Sequence, residues 1–323
     1  MKVLVGDVGG TKCLLAICDP RGQVLTEQRF ESKAFPEFHL LAQAFLASAG
    51  HAPERACFAV AGPVVDDRCR ATNLPWVIDA RVLEAQLEIP KVKLVNDFYA
   101  QALAVLELPP DDIVEIHAGK SVGHGPVAIA GAGTGLGEAF LFHSGSRYEV
   151  ISSEGGHVDF APTSERQIEL LRYLREKIGG RVSYERILSG VGLANIYTFL
   201  RDRGYGKERP EVGQAMANED PAAVITRFGL KGEDGLADTT IDLFCEIYGQ
   251  EAGNLALKIL ATGGVYLCGG VTQHILPRLT DGPFQRAYVD KGRLSPVVKG
   301  IPVRVVTNPR SGLVGAAVAA TRL

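Results

Sequence analysis

Apolar positions fall along this chain in short blocks separated by glycine, and the first block sets the pattern. In Val3 to Ala16, VLVGDVGGTKCLLA, an apolar run breaks at Gly6, turns through Asp7 and Gly9-Gly10-Thr11, and resumes as a second apolar run. Continuous apolar runs joined by adjacent glycines read as two buried strands and a tight turn. Gln23 to Phe30 alternates as a third antiparallel strand, reached through the turn Asp19-Pro20-Arg21-Gly22. A helix is predicted over Glu37 to Ala49, where Phe38, Leu41, Phe45 and Ala49 recur at three- to four-residue spacing before Gly50 stops it. Ala56 to Ala61 and Lys91 to Val95 read as buried strands, Asp79 as the N-cap of a short helix through Leu87, and Tyr99 to Leu106 as a further helix. Trp76, following Arg70-Ala71-Thr72-Asn73 and Leu74-Pro75, is expected in the core.

Leu108-Pro109-Pro110 excludes a continuing helix, and beyond it the pattern starts again. Val127 to Phe140, VAIAGAGTGLGEAF, aligns under Val3 to Ala16 without a gap, strand to strand and glycine turn to glycine turn. Asp7 falls opposite Gly131, Gly9 opposite Gly133 and Thr11 opposite Gly135, so the second turn keeps glycines and lacks the carboxylate. A duplicated α/β unit follows from this, with two glycine turns facing a common ligand. The second half carries a helical insertion: Ser164 to Ile178, then Tyr184 to Phe199 with a break at Ser189-Gly190-Val191-Gly192, then a polar, loosely patterned stretch from Gly204 to Gly235. An amphipathic helix is predicted over Asp238 to Ala261, with Thr239 and Asp242 in capping-box spacing. Val265 to Cys268 is a short strand ending in a third glycine turn, Gly269-Gly270, before a helix-like stretch to Leu279. Val303 to Val306 reads as the last strand, and Gly312 to Ala320 as a small-residue helix able to pack closely.

At 323 residues, 46% hydrophobic and 22% charged, the chain is long enough for two domains. A net charge of -3 without a dense Lys/Arg run gives no footprint for nucleic acid or an anionic membrane. No apolar segment approaches membrane-spanning length, and MKVLVGD enters a strand too soon for a signal peptide. The 6 cysteines include no CxxC pair and lie mostly in apolar runs, as expected of buried free thiols in a reducing, cytoplasmic setting.

Adjacent glycines let backbone N–H groups approach an anion, Thr11 adds a hydroxyl, and Asp7 at a strand end suits a hydrated cation; an ordinary hairpin is the alternative. Standard nucleotide motifs do not fit. Gly119-Lys120-Ser121 has Val114 where a Walker A sequence requires glycine, and GAGTGLG gives GxGxxG in neither register. Asn96-Asp97, just after a buried strand, is the candidate for accepting a proton, against the alternative of a helix cap. Glu154-Gly155-Gly156-His157 offers two side chains for polyol hydroxyls, against a metal pair or a solvated loop. Glu185, taken alone, is an ordinary Glu early in a helix.

Six ordered motifs, GDVGGT (6–11), LVNDF (94–98), GAGTGLG (131–137), EGGHVDFAP (154–162), ERILSGVGL (185–193) and GGVYLCGGV (263–271), together resemble the bacterial glucokinase family across essentially the whole chain. The resemblance implies a two-domain ribonuclease-H-like α/β fold of the actin and hexokinase type, with an interdomain cleft. Residues 1–108 with 301–323 would form the smaller domain and 109–300 the larger. The implied activity is ATP-dependent phosphorylation of D-glucose to glucose 6-phosphate in a homodimer. Asp97 would be the general base, and Asn96, Asp97, Glu154, His157 and Glu185 glucose ligands. Gly6, Asp7, Val8, Gly9, Gly10 and Thr11 would form the first ATP phosphate loop, with Asp7 near Mg²⁺ through water. Gly133, Thr134 and Gly135 would form the second, and Gly269-Gly270 the adenosine-side turn. The cysteine-rich zinc motif of related ROK kinases is absent from the sequence, so no structural zinc is expected. Rival readings are a kinase of mannose, fructose or another hexose, a polyphosphate-dependent kinase, or a sugar sensor without catalysis. A repressor would need a helix-turn-helix, for which Met1 to Val3 leaves no room.

Overall fold

A computed structural model describes residues 1–19, 22–71, 74–280 and 282–323. The expected turn at Asp19 to Gly22 and the Thr72-Asn73 approach to Trp76 therefore lie partly outside the described residues. In chain order the first elements are β1 (Val3–Val8), β2 (Lys12–Cys18), β3 (Val24–Glu31), α1 (Phe38–Ala49), β4 (Arg55–Val60), β5 (Val64–Val65), β6 (Arg68–Arg70), β7 (Val77–Asp79), α2 (Ala80–Leu87), β8 (Val92–Asn96) and α3 (Asp97–Ala104). There follow β9 (Ile113–His117), β10 (Val127–Ala132), β11 (Leu136–His143), β12 (Tyr148–Ser153), α4 (Glu165–Ile178), α5 (Gly190–Asp202), α6 (Pro210–Asn218), α7 (Pro221–Leu230) and α8 (Gly235–Lys258). The chain closes with β13 (Gly264–Cys268), α9 (Gly270–His274), α10 (Leu276–Leu279), α11 (Pro283–Val289), α12 (Ser295–Lys299), β14 (Val303–Val306) and α13 (Ser311–Thr321).

The duplication read from the sequence reappears as topology. One sheet has the order β3-β2-β1-β4-β8 and the other β12-β11-β10-β13-β14-β9, so each is built outward from a glycine hairpin whose first strand takes a parallel neighbour on its other edge. Asp7 pairs with Leu14 and Ala59, and the aligned Gly131 with Gly137 and Cys268. Two compact units result: residues 1–112, 150–152 and 308–323, and residues 113–149 and 153–307. The expected divisions stood at 108/109 and 300/301. Strand β14 lies in the second unit because it pairs in parallel with β13.

In the first unit, apolar side chains cover both faces of the sheet. Leu4, Leu15 and Phe58 pack with Phe38, Trp76 and Leu83 on one face; Val5, Ala59 and Val95 pack with Leu103, Leu313 and Ala316 on the other. Trp76 is buried as expected, its Nε1 donating to Phe35 O at 3.2 Å. Gly6 does not break the strand: β1 runs unbroken to Val8, and a Cβ at Gly6 would lie 2.6 Å from Leu15 Cδ2 and 2.8 Å from Phe58 Cδ1. The glycine is there for packing. Helices α3 and α13 meet at backbone distance, since a Cβ at Gly315 would fall 1.7 Å from Ala100 O.

In the second unit, α8 forms the spine of the core, with Leu236, Ile241, Phe244, Ile247, Tyr248 and Leu255 fully or nearly buried. Its N-cap is Asp234, whose Oδ1 accepts from Ala237 N at 2.7 Å. The predicted Thr239/Asp242 capping box is absent, and Asp242 instead pairs with Arg278. Helices α6 and α7 occupy the stretch read as loosely patterned; each opens with proline at its first position, where the missing N–H costs nothing.

Candidate active site

The first unit gathers its polar groups at the carboxyl ends of β1 and β8. Gly9 N donates to Lys12 O at 3.1 Å to close the hairpin, and Ser32 Oγ donates to Gly9 O at 2.8 Å. Gly10 and Thr11 sit in this turn, Thr11 exposed, whereas Gly6 and Val8 are buried with their backbones committed to the ladder. Asp7 shares a sheet row with Leu14 and Arg29. It is exposed on its open side, while the protein packed around the rest raises its carboxyl above the ordinary value, with Arg29 opposing.

Gly312, in the first turn of α13, adjoins that carboxylate: a Cβ there would lie 3.5 Å from Asp7 Oδ2, and 3.6 Å from Gln101 Nε2 of α3. Neither residue stood out in the sequence. Among the described residues no cluster of three or more His, Cys, Asp or Glu side chains forms a dedicated metal cage. A single exposed carboxylate beside a glycine turn nevertheless has the chemistry that suits Mg²⁺, which keeps much of its water and is held by one or two carboxylates plus phosphate oxygens.

Asn96 and Asp97 open α3. Asn96 Oδ1 accepts from Phe98 N at 2.9 Å and Tyr99 N at 3.3 Å, and its Nδ2 donates to Gly62 O at 3.2 Å. The helix cap foreseen as the alternative is therefore present, and it fixes where the strand hands over to the helix. Asp97 occupies the first turn, its Oδ1 accepting from Phe98 N at 2.9 Å, a position at which the helix dipole favours a carboxylate.

The second unit brings Glu154, His157 and Glu185 together. His157 Nε2 lies 3.9 Å from Glu154 Oε2, and its Nδ1 lies 3.9 Å from Glu185 Oε1. These separations exceed a direct hydrogen bond, so the facing polar atoms keep capacity for hydroxyls. Backbone pairing sets the arrangement: Phe160 N donates to Val182 O at 3.0 Å and Tyr184 N to Val158 O at 3.1 Å, locking the 155–157 turn beside the 184–186 turn. Arg181 braces it by donating to His157 O at 2.7 Å and to Asp159 at 2.9 Å.

This cluster is coupled to the second glycine turn. Leu136 N donates to Glu185 Oε2 at 3.2 Å, and a Cβ at Gly135 would lie 2.4 Å from the same oxygen. Gly133 N donates to Gly135 O, Gly190 N donates to Gly133 O, both at 2.9 Å, and Ser189 Oγ donates to Glu185 O at 2.7 Å. Thr134 at the tip is exposed. The third turn stands next to the second, because Gly269 has φ +94° and a Cβ there would meet Ala132 O at 2.3 Å, while Gly270 N lies 4.0 Å from the Cβ position of Gly133. Only glycine permits that approach of β13 to β10.

All six cysteines are buried and none forms a disulfide. Burial pushes the Cys57 thiol up to about 12, which disfavours its thiolate. No helix among the described residues is long and apolar enough to cross a membrane.

Comparisons with known proteins agree over the whole length. The glucokinase of Trichormus variabilis is 42% identical over 339 aligned residues, covering 99% of each chain. A solved glucokinase from an Antarctic psychrotroph has a TM-score of 0.85 at 30% identity, covering 100% of this chain and 99% of that one. The ROK family glucokinase of Streptomyces griseus, solved with glucose and AMPPNP, has a TM-score of 0.69 at 20% identity over 100% of both chains, a likeness of fold. The α/β fold is accordingly the actin and hexokinase type that the resemblance implied. With the glucokinase family model also matching residues 4–323, the chain belongs to the glucokinase family.

Proposed function

We propose that the protein transfers the γ-phosphoryl group of ATP to the 6-hydroxyl of D-glucose, with Asp97 as general base. The observation that carries this reading is the bond from Leu136 N to Glu185, which joins a phosphate-type glycine turn to a cluster suited to a polyol. Family membership supports both the sugar and the nucleotide: the curated relative is a glucokinase, and the Streptomyces griseus glucokinase was solved with glucose and an ATP analogue.

Glu154, His157 and Glu185 bind sugar hydroxyls, and Asn96 adds contact while capping α3. A positioned Asp accepting the hydroxyl proton contributes on the order of 10² to 10⁴ in rate. Gly10 and Thr11, in the turn closed by Gly9 N, and Thr134 and Gly135, in the turn closed by Gly133 N, offer backbone N–H groups to the nucleotide phosphates, and Gly269-Gly270 leaves room on the adenosine side. Asp7 would hold a hydrated Mg²⁺, which when bound neutralises charge on the β- and γ-phosphates. The site is built to pair with particular hydroxyls, so analogues lacking them are rejected by roughly 10⁴. The active protein is a cytoplasmic homodimer.

Measuring ADP release with ATP and Mg²⁺ across glucose, mannose and fructose tests the reading. Highest kcat/KM with glucose supports it; preference for another hexose, or binding without turnover, overturns it.

A further inference from the structure

Under the 155–157 turn lies a carboxylate that the proposed reaction does not use. Glu138, on β11, is 1% exposed, and neither carboxylate oxygen has a hydrogen-bond partner among the described residues. The turn rests directly on this strand: a Cβ at Gly155 would lie 1.9 Å from Glu138 Oε2, and one at Gly156 would lie 1.9 Å from Leu136 O. No side chain separates the sugar-binding turn from the buried acid. The Glu138 partner across β10 is Ala130, which offers no charge.

The charged surroundings come from α8 and its neighbours. Glu251, also 1% exposed, accepts from Lys258 Nζ and Asn254 Nδ2, both at 2.9 Å. Lys291 Nζ donates to Asn254 Oδ1 at 2.9 Å and Gln250 O at 2.8 Å, Asn254 Nδ2 also donates to Tyr184 OH at 3.3 Å, and Tyr248 OH bonds Thr272. Glu154, His157 and Glu185 complete the set on the two turns. Glu251 thus holds the available donors. Glu138 faces a like charge without one, and burial followed by Glu251, with Lys258 opposing, pushes its carboxyl up to about 7.

We infer that Glu138 is a positioning residue for the sugar-binding turn: with a proton on its carboxyl, Gly155 and His157 seat against β11, and when the proton leaves, the buried charge draws in water and displaces them. This inference rests on the reading of Glu154 and His157 as sugar ligands. Affinity for glucose then falls as pH rises through neutrality while the chemical step is spared.

The test is glucose KM and kcat from about pH 6 to about pH 8.5, a span covering the titration of both Glu138 and an ordinary histidine. The wild type is expected to show KM rising several-fold across neutral pH at constant kcat. Glu138→Gln, an isostere of the protonated acid, keeps the low KM throughout. Lys258→Met, at a half-exposed side chain, removes the cation and moves the rise to higher pH, which decides the matter if the Gln variant does not fold. A rise that persists in Glu138→Gln, or stays in place in Lys258→Met, overturns the inference, since it then comes from His157 or another group. Unchanged KM in His157→Ala overturns the sugar-site reading itself. Raised KM there, with a wild-type pH profile in Glu138→Gln, defeats only the role of Glu138.

Discussion

Glu185 accepts a hydrogen bond from Leu136 N at 3.2 Å, so a side chain in the 184–186 turn is fastened to the residue that ends the glycine turn at 133–135. The missing Cβ of Gly135 makes room for that carboxylate, whose Oε2 would lie 2.4 Å away. Gly135 therefore makes room for Glu185, whatever its proposed part in holding a phosphate.

Gly135→Ala is expected to displace Glu185 and raise glucose KM about 10- to 100-fold, the range for losing a hydrogen bond to a charged group, with a smaller change in ATP KM. Steady-state kinetics in both substrates checks this. A change confined to ATP would show that Gly135 acts on the nucleotide alone.

Asp7→Asn is expected to raise the Mg²⁺ concentration needed for half-maximal turnover and to leave glucose binding intact. If the Mg²⁺ dependence is unchanged, the metal belongs elsewhere.

Gly315→Ala forces a Cβ to within 1.7 Å of Ala100 O, where α13 and α3 have no slack. Overpacking of this kind destabilises by about 1–3 kcal/mol or more. Urea unfolding should show a lower midpoint, and because α3 carries Asp97, kcat should fall as well.

Glu138 also makes stability depend on pH. Burial beside Glu251 pushes its carboxyl up to about 7, above the ordinary 4.5, so the folded state holds the proton more tightly than the unfolded chain. The stabilisation is full below about 4.5 and is lost as pH rises to about 7. Thermal unfolding of the wild type should show this loss, and Glu138→Gln should lack that component; parallel curves would contradict it.

Much of the frame was legible because it rests on local signals. The hairpins at Val3–Cys18 and Val127–His143 announce themselves through apolar runs joined by glycines, and their alignment anticipated two sheets of one topology. Asp79 caps the helix it was expected to cap, and Ser164, read as the first residue of its helix, is that helix's N-cap. Helices α6 and α7 were missed although Pro210 and Pro221 marked their first turns, because their polar faces blurred the periodicity. Strands β5 to β7, two or three residues each, are too short for any period to register.

The candidate site was legible only in part. Asn96, Asp97, Glu154 and His157 lie beside glycines or strand ends that single them out. Gly312 comes up beside Asp7 and Gln101 beside Gly312 from distant positions, and no one-dimensional pattern predicts that meeting. Gly6 looked like part of a turn, yet its neighbours Leu15 and Phe58 are seen only once the sheet is assembled. Glu138 gave no signal at all, since a glutamate after a glycine turn ordinarily faces water.

Asp97→Asn separates proton acceptance from sugar binding when glucose affinity and ADP release are measured on the same variant. Near-normal glucose binding is expected, with turnover reduced on the order of 10² to 10⁴. Near-normal turnover would contradict it and remove Asp97 as the base.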